Sequence, residues 1–199
     1  MSEPQKQIEP PTSTPAIEVT RTYLEMRNPS ELNGAKLDDP MIRIDEQPDC
    51  SIELFRFLYA KVGENYHWID RLLWTDEEIV AYLNRPEISV WLMTYEGERA
   101  GYFELRKCED GSTEIAYFGL LGKFIGRGLG KHLLTCAVEQ AWIDGANRVW
   151  LHTCTDDDPA ALPNYLQRGF KAFKTEAYYR GSENVISRGS AQICADKTE

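Results

Sequence analysis

TEIAYFGLLGKFIGRGLGKHLLTCAVEQAWIDGANRVWLHTCTDDDPAALPNYLQRGF, from Thr113 to Phe170, decides how this chain folds. In order it predicts a strand (Thr113–Leu121), a glycine-rich turn, a long helix (Leu129–Asp144), a second strand (Arg148–Thr155) and a short helix ending at Gly169. The pivot is the turn Gly126-Arg127-Gly128-Leu129-Gly130. Glycines there allow positive φ and keep side chains away from a ligand. The helix that follows presents unpaired N–H groups and the positive end of its dipole to the turn, an arrangement that binds phosphate. Lys123, Arg127 and Lys131 recur at four-residue spacing around it. Cations at a helix N-terminus oppose the dipole unless an anion is bound there. A solvated helix start with chance lysines would read the same way, because a glycine motif is weak by itself.

Two phosphate patterns fail. The Walker pattern needs Gly-Lys-Ser/Thr, and Gly130-Lys131 is followed by His132. The dinucleotide pattern GxGxxG, started at Gly126 and Gly128, places its third glycine on Lys131. The acyl-CoA loop Q/R-x-x-G-x-G/A does fit, with Gly128 and Gly130 in its glycine positions. The match extends to Glu114-Ile115-Ala116-Tyr117-Phe118 and to Tyr165-Leu166-Gln167-Arg168-Gly169-Phe170, a Y-x-x-x-G-F signature. On these residues the chain resembles the GNAT acyl-CoA N-acetyltransferases, strongly over 113–180 and more loosely, in element order, back to about residue 17. It departs at Ile125, where the loop motif has Gln or Arg. That removes a side-chain contact to the pyrophosphate which Arg127 or Lys123 would have to replace.

The resemblance implies an α/β fold: a mixed sheet in the order β-α-α-β-β-β-α-β-α-β, mostly antiparallel, with a central parallel pair splayed for CoA. It implies acetyl-CoA as acyl donor and no metal. The loop residues Lys123, Ile125, Gly126, Arg127, Gly128, Leu129, Gly130 and Lys131 would hold its phosphates, and the backbone at Phe118, Gly119 and Leu120 its pantetheine arm. Gly119 suits a bulge or close approach. Asp158, beside the cleft, is counted with these contacts.

The chemistry asks for a base to deprotonate the amine, a donor for the oxyanion and a proton for the departing thiolate. Glu114, counted back from Gly128, falls where histone-type members carry their catalytic glutamate, and Tyr165 where the family often keeps a tyrosine acid. Each has a plainer alternative: a strand-edge carboxylate and a packing tyrosine. Tyr66, His67 and Trp68, between the first two helices, are candidate acceptor-pocket residues, as is His152; packing would also explain them. The expected activity is transfer of an acetyl group to a primary amine of a small molecule or peptide, by direct attack in a ternary complex. A non-catalytic acyl-CoA-binding module on the same fold is the alternative. A nucleotide-phosphate-binding protein of another fold is disfavoured by the two failed patterns.

The rest of the chain reads as follows. Residues 1–15 carry Pro4, Pro10, Pro11 and Pro15 and predict a disordered tail. Ala16–Met26 alternates as a strand, and Ile42-Arg43-Ile44 is a short extended piece. A helix over Ser51–Val62 is capped by Asp49 or Ser51 and closed by Gly63. Thr75-Asp76-Glu77-Glu78 is a capping box with Trp74 and Ile79 as staple, and Pro86 ends that helix. Strands Ile88–Tyr95, Ala100–Lys107 and Thr113–Leu121 follow, linked by Glu96-Gly97 and Asp110-Gly111 turns. Asp158-Pro159 starts the short helix, with Asp158 as cap. Phe170–Tyr179 alternates as the last main strand. The domain spans 16–182, and 183–199 is an extension with a possible strand at Asn184–Ser187.

Composition narrows the partners. The 199 residues are 42% hydrophobic and 27% charged with net charge −10, those of a soluble globular domain. The acidity argues against nucleic-acid or anionic-membrane binding. The five cysteines form no CxxC pair and show no ligand spacing with the three histidines. They predict reduced thiols of a cytoplasmic protein, monomer or homodimer, without a metal.

Overall fold

A computed structural model of the chain describes residues 17–180. The expected tail 1–15 and the extension 183–199, with its strand at Asn184–Ser187, lie outside the described residues. Seven strands form one mixed sheet. In chain order they are β1 (Ile17–Met26), β2 (Ile42–Glu46), β3 (Ile88–Tyr95), β4 (Glu98–Lys107), β5 (Thr113–Leu120), β6 (Val149–Cys154) and β7 (Lys171–Arg180). In space the order is β2-β3-β4-β5-β6-β1-β7. Helices α1 (Ile52–Gly63) and α2 (Asp76–Leu83) precede β3, α3 (Leu129–Ile143) joins β5 to β6, and α4 (Ala161–Gln167) joins β6 to β7. All neighbours are antiparallel except β5 and β6. This is the mixed α/β sheet with a central parallel pair that the sequence predicts.

Local chemistry sets the boundaries. Ser51 caps α1, its side chain accepting from the Leu54 N–H. Thr75 and Glu78 form both bonds of the capping box on α2. Glu96 (φ 53°) and Gly97 (φ 80°) make a two-residue hairpin turn with both residues left-handed. Such a turn pairs its flanking residues directly, so β4 starts at Glu98, two residues earlier than predicted. The short helix starts later than predicted. Asp158 spends its carboxylate on the Ala160 N–H and its carbonyl on the Ala161 N–H. That local turn holds Pro159 outside the helix, so Ala160, not Asp158, is the cap.

Two placements are invisible in a linear reading. Ile42–Glu46 is a full edge strand paired with β3. β1 is inserted between β6 and β7, with Tyr23 opposite His152 and Arg21 opposite Cys154 on one side and Glu176 on the other. α1 packs on β4 and β5 and α2 on β3, while α3 packs on β4, β5 and β6. The α3 core includes Phe103, Leu24 and Leu151; the α1 core includes Tyr102 and Val90. Phe103 and Tyr102 point to opposite faces of β4, so the two helix layers lie on opposite faces of the sheet. The predicted stripe Leu129, Leu133, Ala137 and Ala141 is at most 2% exposed, and each buried leucine contributes about 1.5–3 kcal/mol.

His132 belongs to this scaffold. Its Nδ1 accepts the Leu37 N–H at 2.9 Å, and Thr135 Oγ1 accepts the Ala35 N–H at 2.9 Å, so α3 pins the segment before β2. Cys50, Cys136 and Cys154 are free thiols. Among the described residues no helix is long and apolar enough to cross a membrane.

Candidate active site

The parallel pairing of β5 and β6 covers only Thr113 with Val149 and Glu114 with Trp150. Beyond it β5 carries a bulge: Ile115 faces Leu105 and Tyr117 faces Glu104 on β4, leaving Ala116 as the extra residue. A bulge bends its strand, and here it coincides with the point where β5 parts from β6. A cavity of about 1000 Å³ opens there, lined by Phe118, Gly119 and Leu120 from β5 and by Leu151, His152 and Cys154 from β6. The bulge expected at Gly119 therefore falls at Ala116. Gly119 serves a close approach instead, because a Cβ there would overlap the Val62 side chain of α1.

One end of the cavity is the glycine turn. Gly126 (φ 82°) and Gly128 (φ 80°) both need the left-handed conformation. Gly128 caps α3 without any side-chain hydrogen bond. No backbone N–H from Gly126 to Gly130 finds an acceptor among the described residues. A Cβ at Gly126 would meet nothing within 4 Å, so space lies open over the turn. Five consecutive donors at a helix N-terminus form an anion cradle, a fit to the phosphates of an acyl-CoA. Ile125, Gly126, Gly128, Gly130 and Lys131 line the cavity. The other loop residues do not. Lys123 is ion-paired to Glu98, Arg127 lies over the Phe124 ring at 5.5 Å, and Leu129 is in the core. Of the three predicted cations Lys131 lines the cavity, while Lys123 and Arg127 stand beside it.

The chemical groups sit at the parting of the strands. Glu114 is fully buried, paired to Arg106, and absent from the cavity wall. The sequence reading makes it a general base acting directly or through water; His152 lies beside it on the cavity side. Glu114 Oε1 and His152 Nδ1 are 3.7 Å apart, and neither atom has a hydrogen-bond partner among the described residues. His152 lines the cavity and packs its ring 5.8 Å from that of Tyr23. Tyr165 lines the cavity too, wedged against Phe118 and Phe170. Burial, reinforced by Asp157, pushes its phenol well above the usual range, so it keeps its proton at any working pH.

The segment between α1 and α2 forms the opposite wall, with Tyr66, His67 and Trp68 all lining the cavity. Trp68 lines the cavity and also packs against Tyr59, Tyr102 and Tyr117. Tyr66 donates to Asp158 Oδ2 at 3.1 Å, joining this segment to the loop after β6. Asp158 is thereby committed to Tyr66 and Ala160. His67 is exposed and left-handed (φ 54°), a strained state for a side-chain-bearing residue.

An anchor that the sequence reading missed fixes this wall. Arg71 reaches Glu104 through two bonds, 2.7 and 3.0 Å, donates to the Tyr82 hydroxyl at 2.8 Å, and stacks 4.0 Å from the Tyr117 centroid. Glu104 lies in the middle of a strand covered on both faces. A charge there requires a buried partner, which was the available signal. The reading also missed Arg21 and Tyr178, which line the cavity from β1 and β7. Nothing in a linear sequence places those strands beside β6.

A family model described as the acetyltransferase (GNAT) family matches residues 45–170. No curated protein sequence is matched. A solved structure of a GCN5-related N-acetyltransferase from Kribbella flavida is similar, with TM-score 0.59, 21% identity, and coverage of 85% of this chain and 60% of that one. One from Sphaerobacter thermophilus gives TM-score 0.56 and 16% identity over 85% of this chain and 53% of its own. An aminoglycoside acetyltransferase from an uncultured soil metagenomic sample gives TM-score 0.53 and 17% identity over 65% of this chain and 88% of its own. The chain thus spans little more than half the length of the first two. Likeness at these identities is likeness of fold.

Proposed function

The chain belongs to the acetyltransferase (GNAT) family, and on that premise we propose that it is an acyltransferase that moves the acetyl group of acetyl-CoA onto a primary amine within a ternary complex. The observation that carries the reading is the continuity of the cavity. It runs from the anion cradle at Gly126–Gly130, past the splayed backbone of Phe118–Leu120, to His152 and Tyr165. Acetyl-CoA supplies a thioester carbonyl as the electrophile. His152 accepts the proton the amine must lose, and Glu114, held by Arg106, orients the imidazole. Glu114 is thus a positioning residue rather than the base itself. Tyr165 holds a proton for the departing thiolate. Lys131 and the turn N–H groups bind the phosphates, with no part for Lys123 or Arg127. The free thiols of Cys50, Cys136 and Cys154 support a cytoplasmic setting.

The sequestration of Glu114 favours a second reading, a non-catalytic acyl-CoA-binding module. One experiment separates the two. Acetyl-CoA is titrated calorimetrically into the protein and into Gly128→Glu, whose carboxylate would occupy the anion cradle. Thiol release is then followed over a set of primary amines, with His152→Asn and Glu114→Gln beside the parent. Binding lost in Gly128→Glu, turnover that rises with pH, and flattening of that rise in His152→Asn are expected. Tight binding with no turnover on any amine supports the module. No binding at all rejects both.

A further inference from the structure

On the face of the sheet that carries Glu114 and His152, the next strands bring in Arg21. It lies opposite Cys154, one step along β1 from Tyr23, which faces His152. Its guanidinium lines the cavity and lies 5.2 Å from the centroid of Tyr178. Its Nε is buried with no hydrogen-bond partner among the described residues, while the guanidinium contacts the side chains of Tyr23 and Cys154. The carboxylate opposite it on β7, Glu176, is committed elsewhere, to Lys174 Nζ at 2.5 Å and to the Tyr23 hydroxyl at 2.8 Å. No carboxylate among the described residues ion-pairs with Arg21. A half-buried guanidinium at a cavity wall whose protein partners include no paired carboxylate keeps a charge that an anionic ligand can pair. The other arginines beside the site, Arg71 and Arg106, both have carboxylate partners.

We propose that Arg21 is the anion-binding residue of the acceptor site, and that the acceptor is an amino acid: a primary amine with a carboxylate only a few bonds away. This rests on the acetyltransferase reading and names its substrate class. Arg21 and His152 are diagonal neighbours across β1 and β6, which places their Cα atoms about 7–8 Å apart. An amine about 3 Å from the imidazole and a carboxylate about 3 Å from the guanidinium then leave room for only a short link between them. A peptide's two termini are too far apart to satisfy both groups. Asp70, Asp156, Asp157 and Asp158 also line the cavity; Asp157 accepts from Thr153 Oγ1 and the Cys154 N–H, and Asp158 from Tyr66 and Ala160, so these two are turned to the loop's own donors.

The test uses the full chain with acetyl-CoA. L-amino acids are compared with their amides, which keep the amine and lose the carboxylate, and with the dipeptide amides of glutamate and aspartate, whose side chains place a carboxylate near a peptide amine. The parent is expected to prefer at least one amino acid over its amide about tenfold to a hundredfold in kcat/KM, the range of a charge-assisted bidentate contact. In Arg21→Met that ratio should collapse to about one, and Arg21→Lys should restore part of it. Arg21→Met also loses the guanidinium's contacts with Tyr23, Cys154 and Tyr178, so its melting temperature is measured beside the parent's to show that the variant is folded. Equal rates on acid and amide in the parent, or a preference that survives in Arg21→Met, would overturn the proposal while leaving acetyl transfer intact. A preference for the dipeptide amides would overturn the free amino acid as substrate. If no amine turns over, amino acids and amides are titrated into the CoA-saturated protein, and the absence of Arg21-dependent binding overturns the proposal equally.

Discussion

Replacing Arg71 by methionine removes one half of an ion pair whose side chains are 8% and 0% exposed. Glu104 would keep only the Tyr82 hydroxyl as a partner. Five aromatic rings, those of Phe55, Tyr59, Trp74, Tyr82 and Tyr117, would lose the guanidinium they surround. Breaking a buried pair from one side costs about 3–5 kcal/mol, because the remaining charge is stranded. In a chain of this length each kcal/mol lowers the melting temperature by about 2–4 °C, so a fall of about 6–20 °C is expected. Urea unfolding followed by tryptophan fluorescence measures it, with Trp68 and Trp74 beside the site as reporters. The double replacement Arg71→Met with Glu104→Leu leaves no charge behind and should recover most of the loss, to within about 1–2 kcal/mol of the parent. A single variant that loses under 1 kcal/mol would refute the reasoning. So would a double variant as unstable as the single one, since the loss would then come from packing rather than from a stranded charge.

Gly169 has φ +104°, and a Cβ there would overlap the carbonyl oxygen of Glu31, so Gly169→Ala should cost about 3 kcal/mol or more; an unchanged melting temperature would show that the 29–33 segment simply moves aside. His132 should make stability fall in acid. Burial, then Lys36, lowers its pKa below the ordinary 6.5, because only the neutral ring can accept the Leu37 N–H. A group with a depressed folded pKa contributes stability fully above its unfolded value and loses it as pH falls through the folded one. His132→Gln should flatten the slope of melting temperature between pH 7 and pH 5, and an unaltered slope would remove His132 as its source.

The central stretch was legible because its signals are local. A capping box, a left-handed hairpin turn, a glycine at a helix N-terminus and a four-residue apolar stripe are each decided within a few residues. That is why α2, the β3–β4 turn and α3 fall close to where the sequence places them. The misplaced site residues share a different cause. Lys123 and Arg127 sit in the right turn, but their direction depends on Glu98 and Phe124, which spacing alone cannot supply. Glu114 is on the right strand at the right level, yet its burial depends on Arg106 across the β4 ladder and on β1 beyond His152. Arg21 reads as one more polar residue of an alternating strand until that strand is known to lie against β6.

The insertion of β1 has a consequence that ties these residues together. Side chains that face the same way from β4 to β7 form a polar row across the sheet. Its outer members satisfy one another, as Tyr23 does with Glu176, and Arg148 with Glu25. Toward the cavity the satisfaction stops. Arg106 Nε, Glu114 Oε1, Trp150 Nε1, His152 Nδ1 and Arg21 Nε are all buried without a partner among the described residues, five of the eight such side-chain atoms. A buried polar atom left unsatisfied costs about 1–3 kcal/mol, and such atoms are rare enough that each one needs a reason. Trp142 Nε1, Asn164 Oδ1 and Arg168 Nε lie elsewhere. The five share one face of the sheet, beside the end of the β5–β6 pairing, and two of their residues, Arg21 and His152, line the cavity. An amine at His152 and a carboxylate at Arg21 would engage the two of these residues that line the cavity, and would draw Glu114 toward the imidazole as it takes up a proton.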